Sequence, residues 1–272
     1  MKPLELKLKL QSGGKVFGTM IWALEGTRWS SSFSKSDLDY VVIEAEHAPR
    51  DRSQIAQLSQ MFKSLEITTI VRVAYPDPVL VGMAIDAGAD GVLVPYTENI
   101  EDVKKCSARA YNNPLKGEYL EKVMNEQKFP SEKSQKYLKE RNKERIFILG
   151  IESKPALENL DNLILSAPMD GIFVGPNDLT TSMGIPDELD NKKYIDALKK
   201  IIKISENHNL PVMIHHATIE LSHLSIELGS RFILHGSDSS FLTNAIHQDF
   251  TNLKNKKNNL NKETEDVMKK PY

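Results

Sequence analysis

The chain has 272 residues, 40% of them hydrophobic and 26% charged, with a formal net charge of −2. That length fits the roughly 250 residues of one α/β barrel, and 35 basic against 37 acidic side chains give no cationic field for nucleic acid. Apolar runs fall short of the roughly 20 residues of a membrane span, Met1-Lys-Pro-Leu-Glu-Leu-Lys lacks a signal-peptide core, and the single Cys106 cannot form an internal disulfide, so a cytoplasmic protein without membrane or nucleic-acid partners is expected.

Short β-rich runs alternate with segments of helical period along the chain. Strands are predicted over residues 18–22, 40–43, 69–73, 91–94, 146–151, 171–174, 211–214 and 232–235. Helices are predicted over 53–65, 78–87, 100–111, 154–165, 192–206, 219–228 and 240–248, with Gly88 and Gly229 as C-terminal stops. Eight βα units imply an α/β fold closed into a (β/α)8 TIM barrel, a single domain over residues 1–250. Residues 112–145 interrupt the rhythm, as an excursion over the mouth or a mobile insertion whose part 135–145 reads as helical. The polar, Lys/Asn-rich tail over 251–272 is too poor in apolar residues to order itself and is expected to be mobile or docked on a neighbour. Cys106 reads as a packing residue.

In a parallel barrel, catalytic groups come from the C-terminal ends of several strands, so strand-terminal polar residues converge in space. His47, Arg72, Glu152 and Asp178 all stand at such ends. Arg72 interrupts an apolar run and needs a partner, either an anionic or polarised substrate oxygen or a structural ion pair within the barrel. Glu152 and Asp178 are hard oxygen ligands suited to Mg²⁺ or Mn²⁺, although Glu152 could instead start the following helix and Asp178 could be an N-cap. Gly175-Pro-Asn-Asp178 also offers the backbone N–H groups of Asn177 and Asp178 to a substrate carboxylate. His47 follows Glu44 and Glu46, and an imidazole held by a carboxylate is a competent general base. Trp22 shares a strand face with Met20 and can wall a pocket, while His215 and His216 are read as polar packing with substrate contact as the lesser role.

Glu44-Ala-Glu-His-Ala-Pro49, Val71-Arg-Val73, Gly88-Ala-Asp-Gly-Val-Leu-Val-Pro95, Ile151-Glu152, Gly175-Pro-Asn-Asp-Leu-Thr-Thr-Ser-Met-Gly184 and Gly236-Ser-Asp238 resemble the HpcH/HpaI aldolase/citrate lyase family from about residue 18 to 242. The resemblance implies a class II pyruvate aldolase, a carbon–carbon lyase of the 4-hydroxy-2-oxo-heptane-1,7-dioate aldolase kind. It further implies a (β/α)8 barrel whose last helix is exchanged between subunits of a homo-oligomer, dimer-based and up to a hexamer. Carried over, His47 resembles the catalytic base, Glu44 the carboxylate that orients it with Glu46 beside it, Arg72 the enolate-stabilising arginine, and Glu152 and Asp178 the ligands of a divalent ion, Mg²⁺, Mn²⁺ or Co²⁺. The partners implied are a small oxo acid and an aldehyde. This chain departs from the family at Glu44, which replaces a usual aspartate, at Gly150, where a glutamine often stands, and at His215-His-Ala-Thr218, which could narrow the pocket or recognise an anionic aldehyde. Two alternatives stay open: a citrate lyase β-type or citrate synthase-like enzyme acting on a CoA thioester or oxaloacetate, and a non-catalytic barrel with an assembly role.

Overall fold

The computed structural model describes residues 1–255. In chain order the elements are α1 (Pro3–Gln11), β1 (Val16–Ile21), α2 (Ser30–Phe33), β2 (Tyr40–Glu44), α3 (Arg52–Ser64), β3 (Thr68–Arg72), α4 (Pro78–Asp86), β4 (Gly91–Val94), α5 (Ile100–Tyr111), α6 (Gly117–Glu126), α7 (Glu132–Asn142), β5 (Ile146–Gly150), α8 (Lys154–Glu158), α9 (Leu160–Ser166), β6 (Gly171–Val174), α10 (Pro176–Ser182), α11 (Lys192–Asn207), β7 (Val212–His216), α12 (Ile219–Glu227), β8 (Phe232–Ser237) and α13 (Asp238–Asn255). The eight strands pair in parallel and in sequence order, and β8 pairs back onto β1, closing the (β/α)8 barrel. Among the described residues no helix is long and apolar enough to cross a membrane.

Strand alternation decides which side chains meet inside. The register sets Met20 beside Val42 and Val42 beside Ile70, and these join Leu93, Ile148, Phe173, Met213 and Leu234 in one fully buried interior cluster. Two residues further along each strand, the next inward positions fall at the C-terminal mouth: Trp22, Glu44, Arg72, Pro95, Gly150, Gly175, His215 and Gly236. Outward-facing Val71, Val92 and Phe147 pack under α3 to α5, and Ile172, Val174 and Ile214 under the later helices.

α1 departs from the sequence pattern. Leu4-Glu-Leu-Lys-Leu-Lys-Leu10 alternates apolar and charged residues as a half-buried strand would, yet it is helical, with Pro3 in its first turn and the Lys2 N–H donating to the Glu5 carboxylate at 3.1 Å. Leu6 and Leu10, one turn apart, plug the N-terminal end of the barrel by joining the interior cluster, while Leu4 and Leu8 stay exposed. The helix predicted over 154–165 is divided at Asn159 into α8 and α9. The excursion over 112–145 holds α6 and α7, which pack beside α5, with the Asn142 amide donating to the Asn113 carbonyl at 2.9 Å. α13 runs on to Asn255, past residue 250 where the tail was expected to begin, and residues 256–272 lie outside the described residues.

Candidate active site

Arg72 ends β3 on the inner face, 5% exposed, its guanidinium 5.7 Å from the centre of the Phe173 ring. Glu44 Oε2 accepts from Nε at 2.6 Å and is ion-paired with Nη2 at the same distance, Glu46 Oε2 lies 3.1 Å from Nη1, and Glu152 Oε1 lies 3.6 Å from Nη1. Burial disfavours the guanidinium charge, but Glu44, Glu152 and Glu46 together outweigh it and raise the Arg72 pKa. The ion-pair reading of Arg72 holds on every side, with Nε and Nη2 toward Glu44 and Nη1 toward Glu46 and Glu152, while Arg72 also lines the cavity described below.

Glu44 does not orient the His47 ring. Its Oε1 accepts the backbone N–H groups of Glu46 at 2.6 Å and His47 at 2.9 Å, and its Oε2 is taken by Arg72, so no oxygen is left for an imidazole. Glu46 is the carboxylate beside the ring, 3.6 Å from Nε2, and burial raises its pKa against the pull of Arg72 and His47. His47 also stacks on Trp22, with ring centres 6.0 Å apart and planes 19° from parallel.

Glu152 follows β5 and is 1% exposed. The Tyr96 N–H donates to its Oε2 at 2.5 Å, while its Oε1 is buried without a hydrogen-bond partner. Burial pushes its carboxyl up to about 8, against the lowering pull of Arg72 and the Tyr96 N–H. The helix-start roles open to the two acids are filled by neighbours: Ser153 caps α8 through the Ala156 N–H, and Gly175 occupies the cap position of α10, leaving Asp178 third in that helix. Trp22, His47, Arg72, Asn177, Asp178 and His215, with Phe173 and Gly175, line one cavity of 390 Å³.

The sequence profile of the HpcH/HpaI aldolase/citrate lyase family matches residues 20–245. The chain belongs to this family. It is 27% identical over 227 residues to the 4-hydroxy-2-oxo-heptane-1,7-dioate aldolase of Shigella flexneri, covering 79% of this chain and 82% of that one. It is equally identical, over 237 residues, to a pyruvate aldolase of Rhizobium etli, covering 87% and 92%. Among solved structures, the HpcH/HpaI aldolase of Desulfitobacterium hafniense DCB-2 superposes with a TM-score of 0.79 at 23% identity, covering 92% of this chain and 96% of that one. On this membership the chain is an enzyme, a carbon–carbon lyase.

The strand-end residues singled out in the sequence do not all reach the cavity. His216, read as polar packing with substrate contact as the lesser role, is 1% exposed and points outward into the helix layer, where Nε2 meets the Tyr194 hydroxyl at 3.0 Å and Nδ1 lies 2.8 Å from the Ser225 hydroxyl. Successive strand residues face opposite sides, so His215 is the one that enters, its Nε2 bonded to the Gly236 carbonyl at 3.0 Å. Two contributors were not read from sequence as site residues. Asp238 accepts the backbone N–H groups of Trp22 at 2.9 Å, Ala23 at 3.0 Å and Leu24 at 2.7 Å, fixing the loop that carries Trp22. Its strand-end acidic position is the same signal that singled out Glu152. Gly175 has a backbone open to any residue, at φ −90°, but a Cβ there would collide with Glu152 Oε1. Gly150 is constrained alike, since a Cβ would sit 2.8 Å from Glu152 Oε2 and from the Val94 carbonyl.

Proposed function

We propose that this lyase is a metal-dependent aldolase that reversibly cleaves a 4-hydroxy-2-oxo acid to pyruvate and an aldehyde. The observation that carries the reading is the buried, unpartnered Glu152 Oε1, 3.6 Å from Nη1 of Arg72, which lines one cavity with His47 and Asp178. Glu44, Glu46 and Glu152 set three carboxylates around one guanidinium, with Asp178 near enough to raise the Glu46 and Glu152 pKa, a carboxylate-rich setting that suits a hard divalent cation, Mg²⁺ or Mn²⁺, with Co²⁺ as a further candidate. Among the described residues no three His, Cys, Asp or Glu side chains form a metal cage, so Glu152 and Asp178 would hold the ion with its other positions open to water and substrate oxygens. A cation there would polarise the 2-oxo group and acidify the adjacent carbon.

In cleavage, His47 takes the proton of the 4-hydroxyl, directly or through water, and the adjacent Glu46 steadies the imidazolium that results. The C3–C4 bond breaks, its electron pair passes through C3 to the 2-oxo oxygen, and the aldehyde leaves. Arg72 Nη1, the nitrogen not committed to Glu44, donates to the enolate oxygen. His47 then returns the proton to C3 to give pyruvate. The backbone N–H groups of Asn177 and Asp178 receive the substrate carboxylate, and Trp22, stacked on His47, walls the aldehyde half. Glu44 acts by holding Arg72 and the turn of His47 rather than by touching substrate.

The test is pyruvate release from a series of 4-hydroxy-2-oxo acids, with and without chelator, in the wild type and His47→Ala. The expected result is metal-dependent release that falls about 10²- to 10⁴-fold in the variant. Equal rates in both would contradict the role of His47, and turnover of a CoA thioester alone would favour the citrate lyase-like alternative.

The same reading extends to assembly. α13 has no buried residue among those described and exposes Leu242, Ile246, Phe250 and Leu253, while its Phe241 joins Phe17, Leu38, Ile219, Ile226 and Ile233 in lining a 260 Å³ groove that lies open on the outer face of β8 and β1. A second copy's α13 in that groove would bury both surfaces, giving a dimer-based homo-oligomer.

A further inference from the structure

We propose that His215 is a specificity-determining residue that selects a hydroxylated substrate by accepting a hydrogen bond at Nδ1; this rests on the aldolase reading of the cavity and narrows its substrate class. β7 places the His215 ring inside the barrel above buried Met213, on the cavity wall shared with His47 and Arg72. Its Nε2 lies 3.0 Å from the Gly236 carbonyl oxygen, and a carbonyl can only accept, so Nε2 carries the proton. Gly236 adopts φ +58°, and a Cβ there would stand 2.7 Å from the Phe241 ring, so the turn that aims this carbonyl at His215 requires glycine.

A second proton on the ring is disfavoured. Burial pulls the His215 pKa down to about 4, and the neighbouring Arg72 and His235 charges add to it, while the Gly236 bond and Glu44 oppose. The ring is therefore neutral near pH 7, with an unshared pair on Nδ1. Among the described residues Nδ1 has no hydrogen-bond partner, nor is it sealed from the cavity. An acceptor on a cavity wall welcomes a hydroxyl, leaves a methyl or hydrogen in its place unrewarded, and repels a carboxylate or phosphate. Of the two readings open to the His215 segment, narrowing the pocket or recognising an anionic aldehyde, the neutral tautomer disfavours the second.

The hydroxyl can belong to either half of the product pair, and two matched comparisons separate them: 3-hydroxypyruvate against pyruvate as the nucleophile, and glycolaldehyde against acetaldehyde as the acceptor, with glyoxylate as the anionic control. In the wild type one hydroxylated partner should be preferred about tenfold or more in kcat/KM, and His215→Leu should bring that ratio toward one. The comparison that moves identifies the half that meets β7. Ratios that stay put in the variant, or a wild-type preference for glyoxylate that His215→Leu abolishes, would overturn the role. Failure of the wild type to turn over any pair would instead strike the aldolase reading. ¹⁵N NMR of the histidine rings, with His215 identified by its loss in the variant, decides the chemical premise without turnover. The Nε2–H tautomer at pH 7 and at pH 6 supports it; an imidazolium at pH 6 or the Nδ1–H tautomer refutes it.

Discussion

At Gly175 the missing side chain is what leaves room for the Glu152 carboxylate beside the cavity wall. A methyl there would collide with Glu152 Oε1, although the backbone at φ −90° accepts alanine. Gly175→Ala should therefore keep the fold, with a melting temperature close to wild type, while aldol turnover falls about 10²-fold as Glu152 is displaced. Full activity in that variant would show that Glu152 need not sit where it does. A second residue-scale prediction concerns acid. Burial lowers the His216 pKa to about 4 from an unfolded value near 6.5, so between those values the unfolded chain binds a proton that the folded one refuses. Stability is then fully present above pH 6.5 and is lost as pH falls toward 4, by roughly 3 kcal/mol if the whole shift is realised. Urea midpoints at pH 7 and pH 5 should diverge less in His216→Gln, and an unchanged divergence would remove His216 as a cause. His47, Arg72, Glu152 and Asp178 were legible as a set because each is a polar residue ending an apolar run. Which of Glu44 and Glu46 meets the imidazole was not, because that depends on a turn whose N–H groups consume one Glu44 oxygen. The opposite fates of His215 and His216 follow from strand alternation, a signal present in the sequence and left unused.

Among the elements, the loop after β1 shows how a helix start governs a pocket wall. Asp238 opens α13 and accepts three N–H groups from residues 22–24, and the Arg50 guanidinium donates to the Trp22 carbonyl at 2.9 Å, so Trp22 is pinned from both sides. In Asp238→Ala, amide exchange at Trp22, Ala23 and Leu24 should quicken by at least tenfold, since each charge-assisted bond to an ionised acceptor is worth about 1.5–3 kcal/mol. Protection equal to wild type would mean the loop is held otherwise. The strands were readable because short β-branched runs recur between helical segments, whereas α1 was hidden by its alternation. Leu4, Leu6, Leu8 and Leu10 imitate a strand face, and only the barrel end that Leu6 and Leu10 seal selects the helix. Helices whose burial comes from tertiary contact carry little local signal.

For the whole molecule, eight apolar runs in order were enough to read barrel closure, because a parallel sheet with helical crossovers has few other ways to bury both faces. The subunit exchange of α13 was expected only by resemblance: in its own barrel Phe241 reaches the groove beside His235, while Leu242, Ile246, Phe250 and Leu253 stay exposed. If a second copy covers them, the wild type should sediment as a dimer or larger, and Leu242→Glu with Ile246→Glu should shift it toward monomer; a monomeric wild type would sink the assembly proposal. The chemical claim is tested most directly by following exchange of the pyruvate methyl protons with deuterium oxide by NMR, with and without chelator, in the wild type and Arg72→Ala. The account predicts metal-dependent exchange in the wild type and its loss in the variant, because Arg72 faces the enolate oxygen that exchange requires. Absence of exchange in a metal-loaded wild type, or exchange that survives in Arg72→Ala, would contradict it.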